Sequence, residues 1–339
     1  MIPRSESIVQ SDSSTDQWRK ILQESTLPAA ELLNRLGLDN HDIPLADTGL
    51  RQFPLRVPPA YLGQIQYADP DDPLLRQILP LAAEDRPTAG FGPDPVGDRQ
   101  SQKRPGLLHK YHGRALLTLT GACAIHCRYC FRRHFPYADS TPTRKAWSGV
   151  LEYLRYDGTI TEVIFSGGDP LSLPDTRLAR LAADLERISH LKRLRIHSRM
   201  PVVLPERITP ALIGWLTGLS LKPVLVVHVN HPREISAAAA EGLQALHAAG
   251  IHLLNQAVLL KGVNDSVATL AELSERLFAN DVLPYYLHLP DAVDGAAHFN
   301  ITDDKARELI TNLRVILPGY LVPGLVREIA GAPYKLPLL

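Results

Sequence analysis

The chain has 339 residues, 45% of them hydrophobic and 21% charged, with a formal net charge of zero. This is the balance of an ordinary globular protein, long enough for one large domain or a domain with an extension. The neutral charge gives no ground for bulk attraction to nucleic acid or a membrane surface, no apolar run approaches the ~18 residues of a membrane span, and the opening MIPRSESIVQSDSST is too polar for a signal peptide.

Residues 1–16 are polar and Ser-rich and read as a loose leader. Apolar residues at helical spacing follow in Trp18-Arg19-Lys20-Ile21-Leu22 and from Ala29 to Leu36, predicting two short helices that end at Gly37. The stretch from Phe53 to Pro80 holds Pro, Asp and one amphipathic piece, Pro73–Leu79, and reads as an extension that wraps another body. From Ala89 to Pro105 the chain is rich in Gly, Pro and Asp, as expected of a loop. The organisation predicted is a helical extension and linker over 1–105 and a main domain over 106–339.

Within the main domain, short apolar runs rich in β-branched residues alternate with helical patterns. The runs are Ala115–Leu119, Glu162–Phe165, Leu194–His197, Val224–Val229, Leu253–Leu260 and Leu283–Leu289. Helical spacing fills Thr176–Ile188, Pro210–Leu219, Ser236–Ala249 and Val267–Asn280. Such alternation predicts an α/β fold with a parallel sheet of βα units. Six strands are too few for an eight-stranded barrel, so an open, partial (β/α)6 barrel is expected, with its site at the C-terminal strand ends.

All three cysteines, Cys123, Cys127 and Cys130, fall in the loop after the first of these strands, spaced C-x3-C-x2-C. Three thiolates so close suit three irons of a 4Fe–4S cube and leave the fourth iron open to a ligand. Zinc is the alternative and would need a fourth ligand, which His126 or His134 could supply. Its usual spacing is two separated pairs, and an odd cysteine count argues against disulfides. A thiolate cluster also calls for a reducing compartment, so a cytoplasmic protein is expected. Ser166-Gly167-Gly168-Asp169-Pro170 follows the second strand, where two glycines let the backbone approach a ligand, although a plain βα turn reads the same. Lys335, taken alone, reads as a solvated lysine, and Lys110-Tyr111-His112-Gly113-Arg114 as a basic loop; His228 and Gln256 alone read as satisfied core polars.

With an aromatic residue, Tyr129, before its last cysteine, the triplet resembles the signature of the radical S-adenosylmethionine (SAM) enzymes. From about Phe53 onward the chain is similar to the lysine 2,3-aminomutases, above all to the short bacterial form that acts with elongation factor P modification. The resemblance implies a partial radical-SAM barrel and a cluster whose open iron chelates SAM, cleaved on reduction to a 5′-deoxyadenosyl radical. It places SAM against Gly167, Gly168, Asp169, Ser198, Arg199, His228 and Gln256. It makes Lys335 the Schiff-base lysine of pyridoxal 5′-phosphate (PLP), with Arg114 at the phosphate and Tyr111 against the ring. It gives Arg132 the carboxylate of lysine, and Asp291 and Glu328 its ε-ammonium. The implied reaction converts (S)-α-lysine to (R)-β-lysine for β-lysylation of elongation factor P. The implied partners are lysine, an external electron donor, the β-lysine ligase or the factor itself, and further copies of the chain in a homo-oligomer.

Three features depart from the family pattern. Glu328 stands where the family has Asp, the segment before Lys335 is poorer in glycine, and the chain stops at Leu339 where longer aminomutases continue. Two rival readings follow. An aminomutase for another amino acid, such as glutamate, is opposed by the acids Asp291 and Glu328. A non-catalytic iron–sulfur carrier or scaffold would need neither the SAM elements nor Lys335.

Overall fold

The computed structural model describes residues 13–39, 43–46, 49, 54–140, 143 and 145–338. The predicted leader up to Asp12, Phe53 at the start of the resemblance, and Leu339 lie outside them. The two predicted N-terminal helices are α1, Ser13–Glu24, and α2, Ala29–Arg35. The first begins inside the stretch expected to be loose.

A ten-stranded sheet forms the body, ordered along the chain from β1 to β10. Its strands are β1 Gln102–Arg104, β2 Leu107–Tyr111, β3 Arg114–Thr118, β4 Glu162–Ser166, β5 Arg193–Ser198, β6 Lys222–Val227, β7 His252–Val258, β8 Leu283–His288, β9 Gly324–Arg327 and β10 Leu336–Pro337. From β3 to β9 every neighbouring pair is parallel. The six predicted strands are β3 to β8, and β9 adds a seventh that is too short to announce itself by periodicity. Antiparallel partners finish both edges: β1 and β2 before β3, and β10 after β9. The turn into β3 passes through Gly113 at φ +78°, a conformation only glycine adopts without strain. Thus Gln102–Arg104, at the end of the expected loop, belongs to the sheet and pairs with β2 across residue 105.

The helices between strands are α3 Trp147–Tyr156, α4 Asp175–Glu186, α5 Pro210–Thr217, α6 Ala237–Ala248, α7 Val267–Phe278 and α8 Asp303–Ile316. Four of them begin at a hydroxyl: Thr209, Ser236, Ser266 and Thr302 each accept from a backbone N–H three residues on. That bond satisfies one of the orphan donors of the first turn and fixes where the helix starts.

Alternation along the strands sorts side chains between two faces. Ala115, Leu117, Val163, Phe165, Leu194 and Ile196 are buried in the main hydrophobic core. The intervening Arg114, Leu116, Ile164, Ser166, Arg195 and His197 line a central cavity of about 270 Å³. A closed (β/α)8 barrel fills its interior with branched aliphatic residues. This one keeps a polar room.

Helix α1 is riveted to the barrel by Arg207, which is fully buried. Its guanidinium lies 4.7 Å from the Trp18 ring, donates to Asp175 at 2.7 and 3.1 Å, and reaches the Leu171 carbonyl at 2.7 Å. Arg207→Met leaves Asp175 without its cation, and loss of one partner from a buried pair costs about 3–5 kcal/mol. Chemical denaturation should report a destabilisation of that size; an unchanged midpoint would show that the rivet carries no load.

Candidate active site

The cysteine loop leaves β3 and is pinned by the loop that follows β4. Gly168 N–H donates to Thr120 O and Asp169 N–H to Ala122 O, both at 2.7 Å. A Cβ at Gly167 would stand 2.5 Å from Thr120 O, and one at Gly168 2.5 Å from Ala122 O. Gly167 also sits at φ +126°. Only glycine lets these two backbones meet. Their amides being partly spent on each other, the loop offers carbonyl oxygens to a ligand, and Gly167 O already accepts from Tyr137 Oη at 2.8 Å.

Asp169 is a brace between loops. One carboxylate oxygen accepts from Ser198 Oγ at 2.7 Å and Leu171 N–H at 3.0 Å, the other from the N–H groups of Arg199 and Met200 at 2.8 and 3.1 Å. Arg199 is buried against the cysteines. Its Nη1 donates to Cys127 Sγ at 2.8 Å, while Nη2 donates to Gln77 Oε1 and Glu234 Oε2, each at 2.7 Å. Gln77 comes from the N-terminal extension, as does Arg56, whose Nη1 donates to Cys123 O at 2.6 Å. The extension therefore closes one wall of the site.

Burial, with Asp169 and the neighbouring sulfurs adding to it, pushes the Cys123 thiol well up, and burial with Cys127 pushes Cys130 up to about 11. Such thiols give up their protons when metal takes the proton's place. Among the described residues no three His, Cys, Asp or Glu side chains converge as a single ion demands. His126 Nδ1 is 2.9 Å from Pro54 O and His134 Nε2 is 3.4 Å from Asp294 O. The donor set fits a cube, with its spread-out irons, better than tetrahedral zinc.

Deeper in the barrel, the Arg114 guanidinium lies 4.6 Å from the Tyr111 ring and has no ion pair among the described residues. Arg195 pairs with Glu162 through Nη2, yet its Nε is buried without a partner, as is His197 Nε2. Gln256 Nε2 donates to His228 Nε2 at 2.9 Å, and His288 Nε2 stands 3.5 Å from Lys335 Nζ. Burial, with nearby cations, holds His228 down to about 3 and His197 and His288 well below the usual imidazole range. Three neutral imidazoles thus share the cavity wall with unsatisfied cationic donors. That is a receptacle for an anion.

The remaining charges form a chain. Arg132 Nε meets Asp98 Oδ2 at 2.6 Å, Lys110 Nζ meets Asp98 Oδ1 at 2.5 Å and Glu328 Oε1 at 2.8 Å, and Lys335 Nζ meets Glu328 Oε2 at 3.1 Å. Although burial opposes it, Lys335 and Lys110 hold the Glu328 carboxyl down to about 2. Asp291 is the contrast: it has no ion pair among the described residues, and burial together with Glu328 pushes it up to about 7.

Every site residue expected from the sequence lines this one cavity: the three cysteines, Tyr111, Arg114, Arg132, Gly167, Gly168, Asp169, Ser198, Arg199, His228, Gln256, Asp291, Glu328 and Lys335. The sequence reading missed Asp98, Lys110, Arg195, His197 and His288, which line it too. For Arg195, His197 and His288 a signal existed, since polar residues on alternate strand positions face one side. Asp98 in its Gly/Pro loop offered none.

Residues 117–273 match the family described as the Radical SAM superfamily. The chain is 46% identical to the L-lysine 2,3-aminomutase of Escherichia coli (strain K12), over 96% of this chain and 95% of that one. It is 45% identical to the L-lysine 2,3-aminomutase of Haemophilus influenzae, covering 94% of each, and 35% identical to that of Clostridium subterminale, over 97% of this chain and 79% of that one.

Gly168→Ala forces a methyl against backbone atoms that cannot swing away, at a cost of about 1–3 kcal/mol. Iron and sulfide content after anaerobic reconstitution should fall severalfold. Full loading would show that the close approach of the two loops is not needed to hold the cysteines.

Proposed function

This chain belongs to the L-lysine 2,3-aminomutase family of radical SAM isomerases, and on that footing we propose that it converts (S)-α-lysine to (R)-β-lysine with PLP, for attachment to elongation factor P. The observation that carries the reading is convergence: the cysteine triplet, the Lys335 amine, Arg114 with no ion pair among the described residues, and the acids Asp291 and Glu328 line one cavity. A carrier of iron–sulfur clusters would need only the first.

When bound, SAM on the open iron of a 4Fe–4S cluster supplies a hydrogen-abstracting radical, and PLP spreads the unpaired electron of the substrate. The residues give that chemistry its alignment. Cys123, Cys127 and Cys130 would hold the cluster, and Gly167 and Gly168, lining the same cavity, would offer backbone acceptors to the SAM ammonium. Arg114, with the spare N–H of Arg195, suits a phosphate, while Lys335 offers the amine that carries the cofactor. Arg132 would take the substrate carboxylate: Asp98 and Ser166 fix its Nε and Nη1, at 2.6 and 3.2 Å. Asp291, half-buried and with no ion pair among the described residues, suits the ε-ammonium. A glutamate side chain would instead be repelled there. Leu116, Ile164 and Val258 in the same wall exclude water, and the fixed geometry supplies proximity between the radical and Cβ of the substrate. The electron comes from an external donor.

Reconstituted protein with a reductant, SAM, PLP and (S)-α-lysine should yield β-lysine on chiral chromatography, and Cys127→Ala and Lys335→Ala should each abolish it. Deoxyadenosine without β-lysine would assign the machinery to another substrate. Asp291 adds a pH signature. Its carboxyl sits at about 7, and the ionised form, favoured as pH rises, is the one that pairs with an ammonium. The KM for lysine should therefore fall as pH rises from about 6 to 8, and Asp291→Asn should raise KM and flatten the profile. An unaltered profile in that variant would remove Asp291 from the pocket.

A further inference from the structure

Lys110 belongs to no motif role so far, yet it touches both acids of the buried ion chain. Its ammonium donates to Val96 O and Glu328 Oε1, each at 2.8 Å, and stands at ion-pair distance, 2.5 Å, from Asp98 Oδ1. Held by these three oxygens, it acts as a fixed post. Asp98 is buried and shared between this post and Arg132. Glu328 is shared between the post and Lys335. Across the pocket, Asp291 has no ion pair among the described residues. The two acids expected to share one substrate ammonium therefore stand in opposite states. One already holds two cations, and the other holds none.

We propose that Lys110, anchored by Asp98, locks Glu328 as the resting place of the Lys335 ammonium, so that the distal ammonium of the substrate is left to Asp291. This rests on the reading of Lys335 as the cofactor-bearing lysine. In that exchange the C=N bond to Lys335 Nζ would be broken as a C=N bond to the substrate α-nitrogen forms, and the N–H protons given up by the substrate α-ammonium would pass to Nζ, releasing it as an ammonium. The ammonium so produced needs an acid during the same interval in which the substrate is bound. Glu328 lies 3.1 Å from it and cannot serve both cations. Glu328 meets Lys110 through one carboxylate oxygen and Lys335 through the other. Lys110, Asp98 and Glu328 are positioning residues in this scheme.

The test uses full-length protein loaded with PLP, without SAM or reductant, so that no radical chemistry enters. Two quantities are read from the visible absorbance of the bound cofactor: its rate of loss on dilution, and its change on titration with lysine. Asp291→Asn should weaken the lysine Kd at least tenfold and leave cofactor loss near the wild-type rate. Glu328→Gln and Lys110→Met should do the reverse, speeding cofactor loss severalfold with the lysine Kd within about twofold. Glu328→Asp keeps the charge and guards against a folding failure in the other variants; too short to span both cations, it should also speed cofactor loss. If Glu328→Gln or Glu328→Asp instead alters the lysine Kd as strongly as Asp291→Asn while retaining cofactor normally, Glu328 is a substrate acid and the proposal falls. Wild-type protein that never acquires the cofactor band overturns the reading of Lys335, and this inference with it.

Discussion

Alternating charge, buried and joined end to end, is the constraint on which the interior of this barrel depends. Arg132, Asp98, Lys110, Glu328 and Lys335 follow one another as cation, anion, cation, anion, cation, each within ion-pair distance of the next. Taking any one of them out of water alone is costly, and removing a partner from such a pair strands the other. The chain solves this by giving every acid two cations, and it ends in the two cations that face the open cavity. Their positions are thereby fixed from behind. Arg132 does not need a ligand to hold its place, and neither does Lys335.

The same logic extends to the mouth of the site. Arg199 is clamped through Nη2 by Glu234 and Gln77 and donates through Nη1 to Cys127 Sγ. Gln77 belongs to the stretch that wraps the barrel, so this guanidinium, like Arg56 at Cys123 O, couples the N-terminal extension to the cysteine loop. Where the loops after β3 and β4 cross, side chains are dispensed with altogether and glycine lets backbone bond to backbone. Sheet, extension and loops therefore converge on one room, and each contributes a wall that the others cannot.

What was legible in the sequence follows from how local the cause is. The cysteine triplet is set by spacing within eight residues, Cys123 to Cys130, and needs no tertiary knowledge. Strands β3 to β8 were legible because parallel strands packed under helices read as apolar runs, and α4 to α7 because their periodic faces begin at Thr, Ser or Pro. β9 has only Leu325 and Val326 buried in a run of four, too little for a pattern. β1 is polar because it lies at an edge. α8 carries a periodic apolar face, Ala306, Leu309, Ile310 and Leu313, that the reading passed over. The ion chain was out of reach for a different reason. Lys110 and Glu328 are 218 positions apart and Asp98 and Arg132 are 34 apart, so only the folded sheet reveals which acid belongs to which cation.

The central claim is that the cysteine triplet and Lys335 serve one reaction in one room, with Cβ of lysine held beside the nascent radical. Lysine deuterated at C3 tests it most directly. Reconstituted protein would be given that substrate with SAM, PLP and a reductant, and the 5′ carbon of SAM and deoxyadenosine examined by mass spectrometry. The account predicts deuterium on that carbon, passed from the substrate and returned to product. Deoxyadenosine formed with its 5′ carbon free of deuterium would mean that the radical and the lysine never meet, and would contradict it.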